Sequence, residues 1–179
     1  MIDQIRREID QQDARIRDCL LARMELSVRM AECKRTRGER TVYRPEREAE
    51  ILQRQCETVP DAQKAALASA MRGIMGASRM LQYDRMSLWY PETVDSLLAS
   101  VPIPADPSGF RVRMTLDAQQ LTALLNAARD RGLDVTALCF EPDGKATASF
   151  SGNVLKASVR SFLYQLAAES RELTVTEVY

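Results

Sequence analysis

Apolar residues recur with a helical period through the first 37 residues of the chain, a stretch that contains neither Pro nor Gly. This period predicts a single helix of about ten turns, roughly 54 Å long. The apolar stripe consists of Ile2, Ile5, Ile9, Ile16, Leu20, Leu21, Met24, Met30 and Ala31. Because such a helix is longer than a small helical domain can cover, we expect a second subunit to cover part of the stripe.

Two further helices are predicted before residue 100. Gly38 indicates the end of the first helix, and Pro45 suits the first turn of a second helix. Pro60 precedes a third periodic segment. The sequence therefore predicts an all-α domain over residues 1–100, with helices at about 2–37, 45–56 and 60–90.

The pattern changes after residues 101–109, VPIPADPSG, which read as a linker because three of their nine positions are Pro. Beyond this linker, Gly132 ends a helical segment, EPDG forms a turn, and Asn153 is suited to cap a helix. The predicted order is βαββαβ over residues 110–179, with strands at 110–116, 133–140, 145–151 and 172–178 and helices at 117–132 and 153–170. This order is typical of an α+β domain in which two helices cover one face of a four-stranded sheet.

Composition excludes several classes of function. The 25 Lys and Arg residues balance the 25 Asp and Glu residues, so no net charge favours binding to nucleic acid. The absence of His rules out imidazole catalysis and His-ligated zinc. The scattered cysteines predict buried or inert thiols in a reducing compartment. Without a signal-type N-terminus or a run of 18 apolar residues, we expect a cytoplasmic protein that does not bind membranes.

Three polar residues, Asp13, Arg23 and Lys34, interrupt the apolar stripe of the first helix. Arg23 and Lys34 are separated by three helical turns plus about 20°, so both lie on nearly the same face. Their Cα atoms would be about 16 Å apart. Two long cationic side chains at this distance leave a gap that suits a compact dicarboxylate.

Polar residues of the other two helices extend this candidate site. Ser78 and Gln82 are spaced i, i+4 and therefore share one face of the third helix. Glu48 lies in the first turn of the second helix, with Arg44 and Arg47 beside it. Spacing alone leaves open the alternative that these residues form ordinary solvated helix surfaces.

Four blocks of sequence resemble the all-helical AroQ type of chorismate mutase, in the order and spacing of that family. They are IDQIRREIDQQDARI, LLARMELSVRMAECK, VYRPEREAEILQR and IMGASRMLQ, which together span residues 2–83. The resemblance implies an intertwined homodimer of three-helix chains. It also implies an isomerase that rearranges chorismate to prephenate in phenylalanine and tyrosine biosynthesis, without a metal or another cofactor.

The resemblance further implies roles for individual residues. Its catalytic residues would be Arg23, Lys34, Glu48 and Gln82, and its substrate-binding residues Arg6, Arg44, Arg47 and Ser78. Arg6 of the other subunit and Arg23 would hold the two carboxylates, while Lys34 would contact a carboxylate and the ether oxygen. Gln82 would donate to the same oxygen, Glu48 would accept from the ring hydroxyl, and Ser78 would bind a carboxylate. Arg47 would contribute to a cationic wall. Arg44 departs from the Asp that some members carry.

The C-terminal part resembles an ACT domain in its βαββαβ order. ACT domains often bind an amino acid near a Gly-containing loop after the first strand, whereas the corresponding loop here, TLDAQQ, has no Gly. Two roles therefore remain open, a packing or dimerising module and an effector site for phenylalanine or tyrosine. Because the helical part carries every candidate residue, we expect deletion of residues 101–179 to leave an active enzyme.

Two alternative functions use the same helical scaffold. An isochorismate-pyruvate lyase or an aminodeoxychorismate mutase would use the same cationic pocket. A catalytically silent helical dimer would instead serve as a regulator. The retention of so many charges at core-facing positions argues against the silent dimer, since burying charge is costly.

Overall fold

The structure, a computed structural model, describes residues 1–116 and 118–179, and for Ala118 and Gln119 it describes the backbone alone. The chain divides into two compact units. The helical unit comprises Met1–Glu39 and Glu46–Gln82, and the sheet unit comprises Arg40–Pro45 and Tyr83–Tyr179. The prediction of a helical N-terminal part followed by a part with a four-stranded antiparallel sheet and helices is confirmed.

Three helices begin in the N-terminal half: α1 over Ile2–Thr36, α2 over Pro45–Cys56 and α3 over Asp61–Trp89. Gly38 ends α1 as predicted, because its φ of 68° is a left-handed conformation that Gly adopts readily. Its N–H donates to the carbonyl of Arg35 at 3.0 Å, and the N–H of Glu39 donates to the carbonyl of Lys34 at 2.9 Å. This Schellman arrangement satisfies the last carbonyls of α1 and fixes the last turn of the helix, which contains Lys34.

The apolar stripe of α1 is largely uncovered in the single chain. Six of its apolar side chains are each more than half exposed: Ile2, Ile5, Ile9, Ile16, Leu21 and Met30. None of the described helices combines the length and the hydropathy that a membrane crossing requires. The exposure agrees with the expectation that α1 is too long for its own unit to cover.

The described residues of the sheet unit form four strands and three further helices, in the order α4 Glu92–Leu98, β1 Gly109–Thr115, α5 Ala118–Asp130, β2 Val135–Phe140, β3 Lys145–Ser151, α6 Ala157–Glu169 and β4 Arg171–Val178. The strands are antiparallel and lie in the order β2-β3-β1-β4. The sequence did not predict α4, because a helix of under two turns is too short to show a period. Asp117, which the sequence assigned to the start of α5, lies outside the described residues.

One face of the sheet forms an apolar core. Phe110, Val112 and Met114 alternate along β1 and are fully buried. The ring of Phe150 on β3 lies 5.4 Å from that of Phe110 and 5.0 Å from that of Phe162 on α6, measured between centroids. Aromatic pairs at such distances add to the stability that area burial provides. The sheet unit therefore has a conventional apolar core on one face of its sheet.

Two local predictions are wrong. Helix α6 begins at Ala157 rather than at Asn153, whose side-chain oxygen accepts from the N–H of Leu155 at 2.8 Å. Asn153 thus stabilises a turn before the helix instead of capping it, because a short Asn side chain can also accept from the backbone N–H two residues later. The cysteines are free, and of the two predicted alternatives, buried or inert thiols, burial is wrong for Cys19, Cys33 and Cys139, which are exposed.

The end of α3 belongs to the core of the sheet unit. Tyr83 and Met86 are fully buried, and the ring of Tyr83 lies 6.1 Å from that of Tyr164. Asp84 accepts a hydrogen bond from Ser161, and Arg131 approaches the same carboxylate at 3.7 Å. Deleting residues 101–179 would expose these side chains, so the expectation that the deletion is harmless does not follow from the structure.

We expect Tyr83→Ala to lower the free energy of unfolding of the sheet unit by about 3 kcal/mol, because it opens a cavity in a closed core. Leu88→Ala is the matched control on the same helix, since Leu88 is exposed and its loss should cost under about 0.5 kcal/mol. Urea unfolding can be followed by the fluorescence of Trp89, the single Trp of the chain, which lies in the sheet unit. Equal effects of the two substitutions would contradict the assignment of Tyr83 to this core.

Candidate active site

The buried positions of the helical unit are mostly polar. Only Ala31 and Met75 among its described residues are buried and apolar, whereas its buried polar residues are Ser27, Lys34, Ser78 and Gln82. Burial of apolar area is the main favourable contribution to folding, whereas a hydrogen bond adds only about 1 kcal/mol, so a unit with more buried polar than apolar residues has a small core of its own. The three predicted candidates in this set, Lys34, Ser78 and Gln82, are 9%, 6% and 8% exposed.

A hydrogen-bonded group joins α1 to α3. The Nη1 of Arg23 donates to the hydroxyl of Ser78 and, at 3.3 Å, to the carbonyl of Ile74. The Ser78 hydroxyl in turn donates to the same carbonyl at 3.0 Å. Arg23 presents several donors in a fixed fork, so it can hold a carboxylate while it keeps a bond to Ser78. The structure thus brings together two of the predicted residues.

Gln82 lies one turn beyond Ser78 on α3. Its Nε2 donates to the backbone carbonyl of Ser78 at 3.3 Å, and its Oε1 is buried without a hydrogen-bond partner among the described residues. An unsatisfied buried atom in a native fold requires an explanation, and a binding site for a ligand is one. The amide of Gln82 can turn by 180° about its last torsion and present Nε2 where Oε1 now lies.

Glu48 is paired with a residue that the sequence analysis did not identify. Its Oε1 accepts a hydrogen bond from Nη1 of Arg79 on α3, and the two side chains are 21% and 14% exposed. The sequence analysis placed Arg44 and Arg47 beside Glu48 instead. Arg47 is exposed and pairs with Glu50 at 3.1 Å. Spacing could have indicated Arg79, because it follows Ser78 directly and precedes Gln82 by three positions.

Arg6 and Arg44 are not part of this hydrogen-bonded group of the helical unit. Arg6 is 73% exposed and pairs with Asp3 at 3.5 Å in the first turns of α1. Along a straight helix it would be about 25 Å from Arg23, which is too far for one small ligand. Arg44 is exposed and lies in the segment Arg40–Pro45, which belongs to the sheet unit.

Comparison with known proteins bears mainly on the helical unit. Residues 5–83 match the family model described as chorismate mutase type II, which is less than half of the chain. The match contains all of the candidate residues and ends next to Gln82, where the helical unit ends. Comparisons with curated proteins and with solved structures gave no match. The resemblance stated from the sequence is thus confirmed over residues 5–83, and this part of the chain is similar to type II chorismate mutases.

Proposed function

We propose that the chain is a chorismate mutase that rearranges chorismate to prephenate in phenylalanine and tyrosine biosynthesis. The observation that carries this proposal is the buried polar set of Lys34, Ser78 and Gln82, with Arg23 bonded to Ser78, inside the segment that matches the family. Chorismate carries two carboxylates and a ring hydroxyl around an ether oxygen. Each of these groups has a complementary residue in the set or beside it.

Binding of the carboxylates would use the cations of α1. Arg23 would form a bidentate pair with one carboxylate, because a guanidinium matches its planar geometry, and Ser78 would add a hydroxyl donor. Lys34, at the fixed end of α1, would bind a carboxylate and also reach the ether oxygen. Holding both ends of the substrate would keep it in the folded shape in which the new bond forms.

Stabilisation of the breaking ether bond would come from Lys34 and Gln82. Negative charge builds on the ether oxygen in the transition state of this Claisen reaction. Donors that are already fixed in a site with little water need not reorganise at that moment. Gln82 would turn its amide to aim Nε2 at the ether oxygen, in place of its present bond to the carbonyl of Ser78. Lys34 would supply a full positive charge.

The remaining residues would complete recognition. Glu48 would accept a hydrogen bond from the ring hydroxyl. Arg47 would contribute positive charge to the wall of the substrate pocket. Arg44 stays a substrate-binding candidate with the weakest support, because it is grouped with the sheet unit. None of these roles requires a metal, a cofactor or a covalent intermediate.

The active assembly would be an intertwined homodimer. The apolar stripe of α1 is exposed, and the helical unit buries few apolar residues of its own. A second copy of the chain would cover the stripe and add the missing apolar burial. A groove of about 340 Å³, lined largely by Ile16, Leu20, Met71 and Ile74 with Arg23, offers part of the surface. In such a dimer Arg6 of one subunit would serve the site of the other.

The C-terminal part would be an ACT-like domain. Its element order, β1-α5-β2-β3-α6-β4, supports this proposal. The loop after β1 includes Asp117, which lies outside the described residues. Binding of an aromatic amino acid effector and a purely packing role remain two hypotheses, and a thermal shift on addition of phenylalanine or tyrosine would separate them.

Product analysis is the direct test of the proposed activity. Purified enzyme should be incubated separately with chorismate, isochorismate and aminodeoxychorismate, and the products identified by chromatography and mass spectrometry. We expect efficient formation of prephenate from chorismate. Release of pyruvate from isochorismate as the dominant reaction would favour the lyase, and no reaction of any of the three would overturn the assignment as an enzyme of this group.

We expect Gln82→Met to separate stability from activity. Turnover should fall on the order of 100- to 1000-fold, because the substitution removes a preorganised donor. The free energy of unfolding should stay within about 1 kcal/mol of wild type or rise, since an apolar side chain of similar shape replaces a partly unsatisfied buried amide. Gln63→Met is the matched control, because Gln63 is exposed on the same helix. A Gln82→Met variant with near wild-type turnover would contradict the role of Gln82.

Mixed dimers test the contribution of Arg6 across subunits. Arg6→Ala and Arg23→Ala homodimers should each be nearly inactive. If equal amounts are unfolded together and refolded, about half of the dimers should be mixed, and each should contain one intact site. We therefore expect recovery of roughly a quarter of wild-type activity, with the mixed species counted by native mass spectrometry. Mixed dimers without recovered activity would mean that Arg6 acts within its own chain or not at all.

A further inference from the structure

The ion pair of Arg79 and Glu48 differs in burial and in sequence separation from other ion pairs of the helical unit. Arg79 is 14% and Glu48 is 21% exposed, whereas Arg6, Arg17 and Arg47 form exposed pairs with partners at most three positions away. The pair of Arg79 and Glu48 instead joins α3 to α2 across 31 positions of sequence. Exposed pairs contribute little, and the loss of hydration of a partly buried pair can cancel its Coulombic gain, so such a pair can serve a purpose other than stability.

The location of the pair indicates this purpose. Arg79 lies between Ser78 and Gln82 on α3, the two residues of that helix assigned to the substrate. Glu48 is the single carboxylate assigned to the same site. Its Oε1 accepts from Arg79, and a carboxylate has further acceptor sites on its other oxygen. The bond to Arg79 is therefore compatible with a bond from Oε2 to a substrate hydroxyl.

We propose that Arg79 is a positioning residue that holds the Glu48 carboxylate for the ring hydroxyl of the substrate and cancels its charge. This inference rests on the proposed function. A carboxylate on the flexible side chain of Glu48 would otherwise sample several rotamers, and the bond to α3 restricts them. A lone negative charge would also repel a dianionic substrate, and at a partly buried position this repulsion is weakly screened.

The two effects have different kinetic consequences. Loss of the charge balance weakens substrate binding and raises KM. Loss of the fixed orientation lowers kcat, because the acceptor is no longer in place when the substrate reaches its reactive shape. Both effects depend on the carboxylate of Glu48. If Glu48 is replaced by the neutral Gln, Arg79 has no charge to balance and no carboxylate to orient.

Steady-state kinetics with chorismate on the full-length chain test this inference. The variants are Arg79→Met, Arg79→Lys, Glu48→Gln and the double variant Arg79→Met with Glu48→Gln. Arg72→Met is the matched control, because Arg72 is an exposed arginine two turns earlier on the same helix. Circular dichroism and thermal unfolding establish that each variant is folded.

We expect Arg79→Met to lower kcat/KM by about 10- to 100-fold, the range typical of losing a hydrogen bond between charged groups, through both a higher KM and a lower kcat. Arg79→Lys should recover most of KM but not all of kcat, because it keeps the charge and loses the planar fork. In the Glu48→Gln background, removal of Arg79 should change kcat/KM by less than about threefold, which is the non-additivity expected of residues that act together. Arg72→Met should behave as wild type.

Different results overturn different claims. Equal kinetics of Arg79→Met and Arg72→Met beside an active wild type would overturn the role of Arg79 and leave the proposed function intact. Fully additive losses in the double variant would mean that Arg79 acts independently of Glu48, which also overturns the inference. If Arg79→Met does not fold, the same cycle with Arg79→Lys decides between these outcomes. An inactive wild type would overturn the proposed function itself, and the role of Arg79 with it.

Discussion

The cost of burying polar groups is the constraint on which the helical unit depends. Lys34, Ser78 and Gln82 occupy positions that a simple helical bundle would give to aliphatic side chains. A hydrogen bond from Arg23 pairs Ser78, and Oε1 of Gln82 has no hydrogen-bond partner among the described residues. A unit arranged in this way gains stability from whatever supplies the missing partners, because a ligand that binds only the folded state shifts the folding equilibrium towards it. The exposed stripe of α1 adds a second requirement, which another copy of the chain would meet.

The sheet unit, in contrast, has an apolar core. Its core is built from alternating apolar residues of the strands and from aromatic rings at close distance, with polar side chains on the other face. Helix α3 takes part in both arrangements. It carries Ser78, Arg79 and Gln82 in the helical unit and then buries Tyr83 and Met86 in the sheet unit without interruption. The sheet unit therefore stabilises the end of the helix that carries the candidate site, whether or not it also binds an effector.

Charge pairing in the site illustrates how local and long-range information differ. Arg44 and Arg47 were natural partners for Glu48 because they are close in sequence. In the structure Arg47 pairs with Glu50 along its own helix, and the cation beside Glu48 comes from α3. Ion pairs between residues that are close in sequence are usually exposed to solvent and contribute little to stability. A partner from another helix depends on how the two helices pack, and periodicity does not contain that information.

The sequence by itself determined the features that arise from local chemistry. The absence of Pro and Gly predicted α1, Gly38 predicted its end, and the change of period after residue 109 predicted a sheet with helices. Four ordered motifs identified the family that residues 5–83 match. Only the tertiary structure decided that Arg79 holds Glu48, that the end of α3 is buried with the strands, and that Asn153 stabilises a turn rather than capping α6. Two of these features join residues far apart in the chain, and the third is a choice between two local bonds of similar strength. In each case packing selects among options that local propensity leaves nearly equal.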